Sequence, residues 1–172
     1  MSIIVEDGTG ISNAETYISV ADTDVYLADI GTPSTSWASL SISAKEIALR
    51  VASAFLDMKY MWKGSRIKLD QGLSWPRIGV IDNEGFSRDS VSIPKEVRNA
   101  TAEMALRASN QTLFPDQETS SLLSSDLVKV GPITLKSEFI GGEPPDTKFT
   151  KVDKMLEPLI ESIGATIVIQ KG

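Results

Sequence analysis

The stretch from Ser43 to Met58 constrains the fold more than any other. Ser43-Ala44-Lys45-Glu46 has the form of a capping box, with Ser43 as N-cap and Glu46 three residues on. Ile47, Val51, Phe55 and Met58 then recur at helical spacing, and Leu49, Ala52 and Leu56 form a second stripe. A helix that is apolar on two sides is expected to be sandwiched between neighbours rather than laid on a surface. Glu46 and Arg50 add an i,i+4 pair worth roughly 0.2–0.5 kcal/mol.

Two further helices can be placed around it. One starts at Ser19, with Asp22 in its first turn and Val20, Leu27 and Ile30 on one face. Gly31 and Pro33 end it. The other begins with Pro94 as its first residue and turns Val97, Ala100, Thr101, Met104, Ala105 and Ala108 inward. Its small residues suit close packing against the Ser43 helix, while Glu103 and Arg107 pair on the outer face. Asn110 and Pro115 mark its exit. Between these two helices lies a long connection, about Trp62 to Ile93, with a hairpin expected at Val80–Phe86.

The C-terminal part reads differently. Gln117 to Asp126 is polar and Ser-rich, the composition of a linker. Leu127 to Phe139 alternates around Gly131-Pro132 and reads as an extended ribbon. Val152, Met155, Leu156, Leu159, Ile160 and Ile163 return to helical spacing, with a kink or break expected at Pro158. Gly164 ends that segment, and Thr166 to Gln170 is β-prone. The expected fold is mainly α: a small helical bundle with a long inter-helix loop, a β-ribbon arm and an extended tail. The expected division is a helical core over 1–116 and an extended arm, short helix and terminal strand over 117–172.

Composition narrows the chemistry. The 172 residues include no Cys and no His. Disulfides, Cys-based metal sites, Cys nucleophiles and His-dependent triads are therefore outside this chain's means. A zinc site built from Asp and Glu alone would be uncommon. Ser92-Ile93-Pro94-Lys95 has S-x-x-K form, but the companion S-D-N and K-T-G motifs are absent. Gly8-Thr9-Gly10 reads as a turn, since it lacks the third glycine and the βαβ setting of a dinucleotide site. No catalytic residue, cofactor or metal is expected. Met1 to Gly10 has no signal-peptide form, and no apolar run approaches the ~20 residues that span a bilayer. The expected setting is a cytoplasm, with no membrane partner.

Charge is unevenly placed. Lys59, Lys63, Arg66, Lys68 and Arg77 face one acid, Asp70, so the stretch carries about +4 and leaves about −10 for the rest of a chain whose formal net charge is −6. Tyr60, Trp62 and Trp75 are interleaved. Basic residues with aromatics suit single-stranded nucleic acid, through phosphate neutralisation and base stacking. The same types anchor loops to cores and form protein-interface hot spots. From composition alone, both readings stand. Ile167, Val168, Ile169 and Gln170 form a terminal β-prone strand, either a β-augmentation strand for a partner's sheet edge, which the scarcity of other strands favours, or a strand in the protein's own sheet.

Five blocks together carry a family resemblance: Tyr17-Ile18-Ser19-Val20-Ala21-Asp22; Tyr60…Trp62-Lys63-Gly64…Arg66; Gln71…Leu73…Trp75-Pro76-Arg77…Gly79-Val80; Ile93-Pro94 through Ala108; and Lys129-Val130-Gly131-Pro132-Ile133. Their order resembles a tailed-bacteriophage family of head-to-tail adaptors. Its members are often labelled DnaT-like single-stranded-DNA-binding proteins, after a replication-restart primosomal protein. The resemblance implies a structural virion protein in the neck, assembled first in the host cytoplasm. It would form a ring, typically of twelve identical subunits, beneath the portal protein and extend the channel for packaged double-stranded DNA. It would also dock the next tail, stopper or nozzle component. On that reading Ile167–Gln170 bind portal. Lys59, Trp62, Lys63, Arg66, Lys68, Trp75 and Arg77 then serve a subunit interface or the DNA channel. The alternative is a single-stranded-DNA-binding replication accessory protein.

Overall fold

The computed structural model describes residues 2–31, 35–113, 125–130, 133–138 and 148–161. Its elements are helices α1 (Val20–Asp29), α2 (Thr35–Ala38), α3 (Ile42–Lys59), α4 (Lys95–Ala108) and α5 (Thr150–Leu156), and short strands β1 (Ser65–Arg66), β2 (Arg77–Ile78), β3 (Ser125–Val130) and β4 (Ile133–Glu138). The protein is mostly helical with some strand. Among the described residues no helix is long and apolar enough to cross a membrane.

The chain divides into two compact units. One joins Met1–Leu113 to Phe149–Gly172, and the other is Phe114–Lys148. The helical unit thus includes α5, which packs on α4, whereas the sequence reading ended the helical core at 116.

Helix α1 starts as expected, with the Ser19 side chain accepting from the Asp22 N–H. Gly31 sits at φ 65°, the left-handed position that favours glycine after a helix. Its inner face is not the expected trio. Leu27 is buried with Thr23, whose hydroxyl donates to the Ser19 carbonyl at 2.8 Å, while Ile30 is exposed. The short α2 was not anticipated. It seats Trp37, whose indole N–H donates to Asp24 at 2.7 Å. Lys45 closes the same cluster on Asp24 at 2.9 Å.

Helix α3 corrects two expectations. Its N-cap is Ser41, which accepts from the Ala44 N–H, so the box read at Ser43–Glu46 does not form. Glu46 accepts instead from the Ile3 N–H, and Arg50 leaves Glu46 for Glu15 at 2.8 Å. Nor is α3 sandwiched. Leu49, Ala52, Phe55 and Leu56 are buried, but Ile47, Val51 and Met58 are 56%, 44% and 67% exposed.

The surrounded helix is α4, against which α1, α3 and α5 all pack. Six consecutive residues, Ala100 to Ala105, are buried there. Pro94 is its N-cap rather than its first residue. The expected Glu103–Arg107 pair forms at 3.1 Å, but Glu103 is buried, and also holds the Tyr26 hydroxyl and the Lys151 ammonium. An acid inside this unit is stable because three donors replace its water.

α5 ends before Pro158, and Val152, Leu156, Leu159 and Ile160 complete the core. The Phe149 ring meets Phe55 edge-on at 5.4 Å.

In the second unit β3 and β4 pair antiparallel, with Val130 opposite Ile133 and Ser125 opposite Glu138. The expected ribbon is therefore present. The rest of the expected linker before Ser125, and the tail with Ile167, Val168, Ile169 and Gln170, lie outside the described residues.

Candidate functional site

The basic and aromatic residues of Lys59–Arg77 lie where α3 ends and the long connection begins. Tyr60 caps α3 in extended conformation. The chain then bridges Trp62 to Ile160, and the Lys63 N–H donates to the Leu159 carbonyl at 3.0 Å. The loop is thereby fastened to the segment after α5. β1 and β2 pair Ser65 with Ile78 and Arg66 with Arg77. Gly64 sits at φ 69°, where an added Cβ would meet the Ile78 carbonyl at 2.4 Å, so only glycine lets the two passes approach. The expected hairpin also closes, through the Ile81–Ser87 bridge and the Asp82 N–H on the Phe86 carbonyl at 3.0 Å.

The aromatics face inward. Trp75 is fully buried and Trp62 nearly so, their rings edge-on with centroids 5.9 Å apart. Tyr60 is buried beside Trp62 and donates to Asp153 at 2.5 Å. No stacking platform is left on these three residues. Among the described aromatics Phe86 is the well-exposed ring.

Most of the cations are engaged too. Arg77 donates to four backbone carbonyls: Lys63 at 2.7 Å, Gly64 at 2.6 Å, Ser74 at 3.1 Å and Trp62 at 3.3 Å. Its planar fork ties two passes of the loop together, which a lysine cannot do. Lys63 bridges Asn83 at 2.7 Å and the Pro158 carbonyl at 3.0 Å. Lys59 lies over the rings of Phe149, Phe55 and Tyr60 at 5.0, 5.4 and 5.9 Å. Arg66 and Lys68 remain exposed, Lys68 with a long contact to the Gly10 carbonyl at 3.4 Å.

A buried latch positions the loop. The Tyr17 hydroxyl donates to Asp57 on α3 at 2.5 Å and accepts from the Ser74 N–H at 2.9 Å and the Trp75 N–H at 3.2 Å. Asp57 also accepts from the Ser74 N–H at 2.8 Å. Burial pushes the Asp57 carboxyl above the ordinary aspartate value, against the pull of Tyr17, Ser74 and Arg66. Burial beside that carboxylate raises the Tyr17 phenol as well. Sequence reading missed this latch because its members lie 40 and 17 residues apart and no local spacing announces them.

The other motifs settle as structure. The Ser92 hydroxyl donates to Asp89 at 2.8 Å, so the S-x-x-K serine caps a turn. The Gly8–Gly10 turn wraps the buried Glu6 carboxylate, which accepts from Gly8, Gly10 and Ile11. Near the start of α4 an open cleft of about 550 Å³ carries both signs of charge, including Glu6, Arg88, Glu96 and Arg98. Arg88 already pairs with Asp82 and Glu96. Among the described residues no group of three or more acids stands close enough to hold a metal ion.

A family model described as "Putative DnaT-like ssDNA binding protein" matches residues 1–172. No curated protein matches the chain, and no solved structure does.

Proposed function

We propose that this chain, which belongs to the DnaT-like ssDNA-binding family, is a non-catalytic assembly protein acting as a head-to-tail adaptor in a tailed bacteriophage. One observation supports this most: the side chains that looked suited to base stacking are built into the fold, with Trp62 and Trp75 buried together and Arg77 on backbone carbonyls. The surface left outside includes, beside Arg66 and Lys68, apolar residues on α3 and on the loop, among them Met61, Leu69, Ile78 and Phe86. Such surface suits protein partners. On this reading the partners are portal, identical subunits in a ring, and the next tail component. Ile167–Gln170 serve portal docking.

Mixing the protein with portal rings and viewing the product by electron microscopy tests this. The adaptor reading expects an added ring beneath portal, lost when residues 165–172 are deleted while the helical unit stays folded. Portal rings that remain bare with the full chain overturn it.

The second reading is a single-stranded-DNA-binding accessory protein, and the family's own description favours it. Arg66 and Lys68 are the exposed cations left to it in the Lys59–Arg77 stretch. With about two phosphate contacts, log affinity should fall with log salt at a slope near −1.4, the ~0.7 per contact typical of single strands. Tight oligonucleotide binding by the free protein, lost in Arg66→Glu/Lys68→Glu, would favour this reading over the first.

A further inference from the structure

We draw no further inference here: the strongest candidate, the open cleft of about 550 Å³ beside the start of α4, is lined by carboxylates that the protein's own donors already hold, Glu6 by the Gly8 and Gly10 amides, Asp89 by Ser92 and Glu96 by Arg88, and nothing in the structure shows what would occupy it.

Discussion

The loop over Lys59–Arg77 and the outer face of α3 adjoin in the chain and end in opposite states. The loop carries charges and aromatic rings, the residue types of a binding surface, yet Trp62 and Trp75 are buried and Arg77 is saturated by carbonyls. The α3 face carries Ile47, Val51 and Met58, the residue types of a core, yet they are open to solvent. Residue type alone does not say which side of a surface a side chain occupies. A loop with few strands must satisfy its own backbone polar groups, and Arg77, Gln71 and the Tyr17–Asp57 latch do that work here. A helix needs only one buried face to be held, so its second face can stay open to solvent.

Mutations test the contrast most sharply in the loop. Trp75→Ala removes a fully buried ring and should cost about 3–5 kcal/mol in urea denaturation. A Trp75 that served DNA stacking from the surface would leave stability nearly unchanged. Arg77→Ala strips the shared donor from four carbonyls and should cost about 2–3 kcal/mol, with Arg77→Lys recovering little of it. Recovery by lysine would mean that charge, not the planar fork, holds the loop. Tyr17→Phe leaves the Trp75 N–H without an acceptor and should cost about 1–3 kcal/mol.

The latch also has a pH signature. Unfolded, Asp57 titrates near 3.8, and burial raises it in the fold. Over the window between those values the folded chain keeps a proton that the unfolded chain has lost. Asp57's contribution to stability is therefore full below the unfolded value and declines as pH rises through the folded value. Measured against Asp57→Asn, the wild-type advantage should shrink as pH rises above the ordinary aspartate range. An advantage that grows instead would show that the hydrogen bonds from Tyr17 and Ser74 outweigh the cost of burial.

The smallest effects belong to the exposed groups. Arg66→Glu/Lys68→Glu and Met58→Glu should each change monomer stability by no more than about 0.5 kcal/mol. A larger loss in thermal melts would place those side chains inside the fold and remove the contrast.

Local signals in the sequence determined local structure. Ser19 and Gly31 bounded α1, the Val97–Ala105 spacing placed α4, Pro158 stopped α5, and alternation around Gly131-Pro132 marked the ribbon, because caps, periodicity and proline act within a turn or two of chain. Those signals reached neither which helix is surrounded nor which face is left bare. α4, with a buried Glu103, became the centre, and α3, the more apolar of the two to read, kept one side open. The same limit applies to Trp62, Trp75 and Arg77. Burial depends on which segments meet, and Tyr17, Asp57 and Ser74 meet only once the chain has folded. Long-range contacts of that kind leave no spacing in the sequence, so only the tertiary structure decided them.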